Sequence, residues 1–392
     1  MRVRRAGASA LRCRAVGRRV APFVVAWSLA LAVLPGTAGA ATPAPLPSAV
    51  ATAAGSWVVL PMGELSDQTN TFWQVLHAAP GSPRWTVVTP QGVADNGGLV
   101  VAASERLTVV GFLPSRLLRY SPLSATSDDG RTWNPVFLPG GVTARPDALA
   151  YGEGRSGIGL AVVGTTVLTG GPLLSSWSPL VSLDRLRRVS PSCGGTAIDA
   201  VTVGQAGSPF VATGCGRGGR VGVFVDEGGS WTQAGTTIGG RFANSSTSVL
   251  RLQSTPSLLT GLVEATKSGR NALIGLWQNS TGHWTASSSL ALSRDASILA
   301  TSVGQSGALV AVVGSRSAPS AYDVVPGGRW TRLPAPPLGT VALGPMALAS
   351  APTLDAFAVD GTELSVYALS PSGARWVKSQ TTQVSLAYGS SG

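Results

Sequence analysis

The chain has 392 residues, 29 of them Lys or Arg against 18 Asp or Glu, for a formal charge of +11. All 18 acids lie beyond residue 40, whereas seven Arg lie before residue 20, so the remainder carries only +4 with no dense basic run, which argues against nucleic-acid binding. Charged residues make up 12% and Gly numbers 50. That composition suits many short strands joined by tight turns, and with no sustained helical stripe an all-β fold is expected.

Residues 1–19 hold Arg2, Arg4, Arg5, Arg12, Arg14, Arg18 and Arg19 and no acid, and an apolar run follows from Val20 to Leu34. Pro35-Gly36 breaks that run, and Ala38-Gly39-Ala40 supplies small residues. This order reads as a secretory signal peptide over 1–40, cleaved near Ala40. The apolar run is short for a membrane span, which takes about 20 residues, so no span is expected after cleavage; an uncleaved anchor is the alternative. Arg18-Arg19 resembles a twin-arginine export pair in a poor context. Residues 41–55 are rich in Pro and Ala and read as an extended lead-in.

From residue 56 the chain repeats. Trp85, Trp133, Trp177, Trp231, Trp284, Trp330 and Trp376 are spaced by 48, 44, 54, 53, 46 and 46 residues, and a Gly-containing turn precedes all but Trp177. Each unit holds short apolar runs. The fourth has 197–204, 210–214, 221–225 and 230–236, and the sixth has 298–303, 309–314, 321–325 and 329–333. Four strands every 40–50 residues is the arithmetic of a propeller blade. Residues 56–392 are therefore predicted to form a seven-bladed β-propeller of four-stranded antiparallel blades. The first unit shows only three runs (56–60, 72–76 and 85–89), while the C-terminus offers a spare one at 384–389. A C-terminal strand joining the first blade is expected to close the ring and remove exposed edges.

The clearest local motif is Thr126-Ser127-Asp128-Asp129-Gly130-Arg131-Thr132-Trp133. An Asp-Gly pair between strand-like runs marks a hairpin, with Gly130 accepting a positive φ and Asp128 capping backbone N–H groups. Trp133 supplies a large ring to bury between sheets. A second copy, Asp226-Glu227-Gly228-Gly229-Ser230-Trp231, lacks the leading hydroxyl. The two copies resemble the Asp-box, or bacterial neuraminidase repeat, of sialidase-like propellers. The family includes sialidases, sortilin-type ectodomains and photosystem-assembly propellers, so the resemblance implies fold more than function. It also implies that Thr126, Asp128, Gly130, Thr132, Trp133, Asp226, Gly228 and Trp231 are structural and lie away from the ligand face.

A sialidase of that family uses a Tyr nucleophile with a Glu partner, an Asp acid/base and three Arg on the substrate carboxylate. The early Arg-Ile-Pro motif is absent here, and the one Tyr–Glu coincidence is Tyr151 with Glu153, two residues apart on one strand face. No catalytic residue is assigned. Polar residues on expected inner strands, Tyr151, Asp199, Arg251 and Tyr388, are the candidates for binding in the central channel, with solvation of the channel as the plainer reading. Trp57, Trp73 and Trp277 fall outside the repeat register and read as filling between blades. Cys193 and Cys215 are expected to form a disulfide across the first two strands of the fourth blade. With His77 and His283 they match no usual zinc pattern, so neither metal nor cofactor is expected.

The sequence thus points to an exported, monomeric, non-catalytic propeller of bacterial character, secreted or held at the envelope, that binds a protein or carbohydrate. A divergent sialidase-like glycoside hydrolase is one alternative. An envelope assembly factor is another, to which Arg185, Arg187 and Arg188 would contribute if not simply a solvated loop.

Overall fold

A computed structural model describes residues 48–63, 71–90, 98–112, 122–139, 146–152, 157–255, 257–315, 318–336, 347–350 and 353–384. Residues 43–392 form one compact unit. The expected signal peptide, Glu153 and Tyr388 lie outside the described residues. Among those described, no helix is long and apolar enough to cross a membrane.

The fold is all-β, built from antiparallel groups of consecutive strands. The first sheet runs β1 (Ser48–Thr52), β2 (Gly55–Gly63), β3 (Thr71–Ala78) and β4 (Thr86–Val87). The second runs β5 (Val100–Ala103), β6 (Thr108–Gly111), β7 (Leu123–Thr126) and β8 (Asn134–Val136). The third runs β9 (Ala148–Gly152), β10 (Ile158–Val163), β11 (Thr166–Gly170) and β12 (Trp177–Ser182). A nine-stranded sheet then joins two groups through the single pair Cys215↔Thr247. Its first group is β13 (Gly195–Val203), β14 (Pro209–Cys215), β15 (Gly222–Glu227) and β16 (Ser230–Gln233). Its second is β17 (Ser246–Ser254), β18 (Leu258–Lys267) and β19 (Arg270–Asn279), with β20 (Trp284–Ala286) and β21 (Leu290–Ala291) both pairing β19. Two four-stranded sheets complete the chain. One is β22 (Ser297–Val303), β23 (Leu309–Ser315), β24 (Ala318–Val324) and β25 (Thr331–Arg332); the other is β26 (Ala347–Ser350), β27 (Leu354–Asp360), β28 (Glu363–Leu369) and β29 (Trp376–Gln383).

The groups close into a ring. The first strands β1, β5, β9, β13, β17, β22 and β26 touch in that cyclic order, with β26 returning to β1. An apolar cluster lies between each group and the next. Leu160, Val162, Val201, Val211, Phe224 and Trp231 share one, for example. Val58, Leu60, Met62 and Trp85 of the first sheet share another with Phe357, Val359 and Val366 of the last. Sheet faces that are apolar on both sides bury only when stacked in this way. This is the arrangement of a β-propeller.

The recurring Trp explain the stacking. Each sits at the start of an outer strand, and its indole N–H reaches the preceding group where a bond forms. Trp133 donates to Val88 O at 2.8 Å, Trp284 to Ala234 O at 2.6 Å and Trp376 to Pro334 O at 2.9 Å. Trp85 continues the rule across the seam. It donates to Asp355 Oδ2 at 3.0 Å and lies edge-on to Phe357 at 4.8 Å. Gln380 clasps the main chain of Trp85 from both sides, accepting from its N–H at 2.9 Å and donating to its carbonyl at 2.8 Å.

This seam corrects two expectations. The inner position of the first sheet is filled by β1, which pairs β2 over Ser48↔Val59 to Thr52↔Gly55. The strand arises inside the segment expected to be an extended lead-in, and its five residues Ser-Ala-Val-Ala-Thr follow the Pro-rich stretch directly. Among the described residues the first sheet therefore has four strands, none of them C-terminal. Val384 instead stays with the last sheet, where its N–H donates to Thr362 O at 2.9 Å and its side chain is buried in the closing cluster; residues 385–392 lie outside the described residues.

A third correction concerns Arg185, Arg187 and Arg188, whose plainer reading is a solvated loop. They lie on helix α1 (Leu183–Val189), capped by the Ser182 hydroxyl accepting from Arg185 N, with Leu183 and Leu186 buried. Ser followed by apolar residues three apart is a helix start, but one lasting too few residues to show a stripe.

Candidate functional site

The inner strands enclose an open cavity of about 280 Å³, lined by 48–52, 100–103, 147–151, 199–203 and 250–254. Most of this wall is Ala, Val, Leu, Ser and Thr. Its large polar groups are Asp147, Tyr151, Asp199, Arg251 and Gln253; Tyr151, Asp199 and Arg251 line one cavity, together with Asp147 and Gln253, which the sequence did not single out.

Asp199 owes its position to a bulge. On β13, Ile198 pairs Thr213 and Ala200 pairs Ala212, which leaves Asp199 as the extra residue. The same irregularity recurs at Leu250 on β17 and Leu299 on β22. Freed from the ladder, the Asp199 carboxylate crosses to the neighbouring inner strand. It accepts from Val249 N at 2.8 Å and from the Ser248 hydroxyl at 3.2 Å. Two further bonds run the same way, Ser254 N to the Thr202 hydroxyl at 3.2 Å and Gln205 Nε2 to Thr255 O at 3.1 Å. Side chains thus join the β13 and β17 edges of two groups whose one backbone pair, Cys215↔Thr247, lies between β14 and β17. Burial pushes the Asp199 carboxyl up to about 6, against the pull of its two donors.

Arg251, Tyr151 and Asp147 are also bonded to main chain. Arg251 Nη1 donates to Leu250 O at 3.0 Å, and burial lowers its guanidinium to about 10, so it stays charged at neutral pH. The Tyr151 hydroxyl donates to Pro172 O at 2.9 Å, in the turn between β11 and β12. Asp147 Oδ2 accepts from Gly164 N at 2.9 Å. A carboxyl raised to about 6 suits a general acid near neutral pH, but that of Asp199 is tied to β17.

At the β7–β8 turn the Thr126 hydroxyl donates to Asp128 Oδ1 at 2.7 Å and accepts from Gly130 N at 3.1 Å. Asp128 Oδ1 accepts from Thr132 N at 2.8 Å, and its Oδ2 from the Thr132 hydroxyl. These bonds, with those to Thr132 foremost, hold the Asp128 carboxyl down to about 2. Asp129 and Gly130 take φ of 60° and 81°, and a Cβ on Gly130 would stand 2.7 Å from Val88 Cβ. The turn is seated on the preceding sheet, where Trp133 also meets Trp57 edge-on at 6.2 Å. In the second copy Phe224 replaces the leading Thr and is buried, so Asp226 accepts from Gly229 N alone, at 2.8 Å. Gly228 has φ 69°, and Trp231 is buried between groups.

Cys193 and Cys215 are disulfide-bonded. Trp57, Trp73 and Trp277 are buried, and Trp277 N–H donates to Gly307 O at 2.6 Å. Among the described residues, no group of His, Cys, Asp and Glu is arranged to hold a metal ion.

No protein-family model matches the sequence, and no curated protein matches it. Solved structures do resemble the fold. A protein from Lactobacillus plantarum is 14% identical, with 85% of this chain and 97% of that one covered and a TM-score of 0.52. YCF48 bound to D1 peptide is 12% identical over 80% of this chain and 90% of that one, with a TM-score of 0.44. An Aleuria aurantia lectin in complex with Fucα1-6GlcNAc is 13% identical over 88% and 98%, with a TM-score of 0.45. At such identities the likeness speaks to fold alone.

Proposed function

We propose that the chain is an exported, seven-bladed propeller of the Asp-box type that binds a protein or glycan and carries out no reaction. One observation carries this reading: Asp147, Tyr151, Asp199 and Arg251 on the cavity wall are each hydrogen-bonded to main chain. Asp199 bridges two neighbouring groups, and side chains engaged with main chain in this way are poorly placed to change bonding partner during a catalytic cycle. Export is supported by the basic-then-apolar order of residues 1–40 and by the disulfide. The blade count is supported by the cyclic contact of the first strands and the apolar cluster between successive groups. Asp199 favours the alternative glycosidase, since its carboxyl at about 6 suits a proton donor.

A glycan array probed with residues 41–392, run beside a fluorogenic sialoside assay, separates the two. Retention of glycan without release of fluorophore is the expected result. Turnover that scales with protein and vanishes in Asp199→Asn would replace this reading with the hydrolase.

A further inference from the structure

Away from the cavity, the fold gathers cations that are scattered in sequence. The β14–β15 turn (216–221), the β16–β17 connection (234–245) and the tip of the β18–β19 hairpin (267–270, including the last residue of β18 and the first of β19) together hold Arg217, Arg220, Arg241, Lys267 and Arg270 and no acid. Hydrogen bonds stitch the three segments into one surface. Gly219 N donates to Ser245 O at 2.9 Å and Ile238 N to Gly219 O at 2.6 Å, while the Thr247 hydroxyl donates to Arg220 O at 2.6 Å. Lys267 Nζ donates to both Arg241 O and Ala243 O at 2.9 Å, pinning the connection beneath Arg241. Gly219, at φ 60°, permits the close fit, since a Cβ there would stand 3.0 Å from Ile238 O. The disulfide fastens Cys215, at the end of β14 where the turn begins, to Cys193, two residues before Gly195, whose carbonyl accepts from Arg187 Nε at 2.8 Å.

Arg217, Arg241 and Arg270 are exposed and Arg220 is half-buried. Among the described residues none of these four forms an ion pair. The nearby Glu264 accepts from Asn271 Nδ2 at 2.9 Å. The exposed large apolar residues Val87, Phe137, Leu173, Val325 and Val377 all lie elsewhere.

We infer that this surface, formed by Arg217, Arg220, Arg241 and Arg270 over the Lys267 clamp, binds a linear anionic polysaccharide bearing carboxylates. Four guanidinium groups on three adjoining segments suit a repeating anion better than a single small one, and each is shaped to take a carboxylate in bidentate fashion. A surface without exposed large apolar side chains offers nothing to insert into a bilayer and no pocket for the side chains of a peptide. The inference rests on the binding-module reading and names its ligand class.

The test is biolayer interferometry of the full chain on immobilised polygalacturonate, with dextran, phosphatidylglycerol vesicles and poly-glutamate as comparison surfaces. Each exposed charge pair is worth a factor of about two to five. Replacing all four Arg by Ser should therefore weaken polygalacturonate binding by roughly tenfold or more, as should raising salt to about 0.5 M. Arg84→Ser/Arg375→Ser, in the β3–β4 and β28–β29 turns, should leave binding unchanged. Because every variant keeps the Arg of residues 1–19, the comparison isolates the surface. Equal weakening by the two variants would overturn the inference in favour of diffuse charge. Tighter binding to vesicles or poly-glutamate would overturn the ligand class. Single variants Arg217→Ser and Arg270→Ser, each with an unchanged thermal transition and a two- to fivefold loss, support the assignment if the fourfold variant does not fold. A glycan-array hit with a neutral sugar but no polygalacturonate binding would sink this inference and leave the binding-module reading standing.

Discussion

Trp85→Phe tests ring closure at a single bond. The indole N–H of Trp85 donates to Asp355, which is only 6% exposed, and the ring is 2% exposed against Phe357. Phe keeps most of the apolar burial and removes the donor. The Asp355 carboxyl, already raised by burial, then keeps only the Thr353 hydroxyl at 3.2 Å. Leaving a buried acceptor without its donor costs about 1–3 kcal/mol. Trp85→Ala adds loss of the ring and a cavity, for a total of about 3–5 kcal/mol. Urea unfolding at pH 7 reads both values. Asp355→Asn in the Trp85→Phe background should recover part of the loss, giving a coupling energy of about 1–2 kcal/mol in a double-mutant cycle. Strict additivity, or a Trp85→Phe midpoint equal to wild type, would refute closure through this seam.

Three further outcomes follow from the geometry. Because folding raises the Asp199 carboxyl from an ordinary 3.8 to about 6, the folded state binds the proton more tightly, and this contribution, full below pH 4, is lost as pH rises through 6. The loss is up to about 3 kcal/mol, so Asp199→Asn, which still accepts from Val249 N, should flatten urea stability between pH 4 and 7 relative to wild type; parallel curves would refute it. Replacing both Cys193 and Cys215 by Ser should lower stability by about 3 kcal/mol through loss of a cross-link over 22 residues, and a reductant-insensitive wild-type midpoint would contradict this. Gly130→Ala should cost more than Gly282→Ala in thermal melts, because both glycines have φ of 81° but only Gly130 faces Val88 at 2.7 Å, whereas Gly282 meets Gln278 Nε2 at 3.9 Å. Equal costs would show that backbone strain, about 1–3 kcal/mol, is the whole effect.

The repeat was legible because every unit but that of Trp177 places its Trp after a Gly-bearing turn, and the Trp makes the inter-sheet contact. The hairpin at 126–133 was legible because Thr126, Asp128, Gly130 and Thr132 bond to one another within the turn. The first inner strand was not, because Ser-Ala-Val-Ala-Thr has neither large β-branched content nor a turn signal before it; what makes it a strand is the unpaired edge of β2. Helix α1 was too short for its period to register. Asp199 was found as a polar residue on an inner strand, but its role was hidden, since a bulge is a mismatch between two strands and neither sequence records it alone. The Arg217–Arg270 surface was invisible for a similar reason: its cations belong to three separate connections, and only the stitching through Gly219 and Lys267 makes them neighbours.

The central claim, binding without chemistry, is tested most directly by incubating the protein with a glycan it retains and analysing that glycan by mass spectrometry. The account predicts recovery of the ligand intact after prolonged incubation at pH 5 to 7, the range over which Asp199 titrates. Shortened or desialylated product that accumulates with time and is abolished by Asp199→Asn would contradict it.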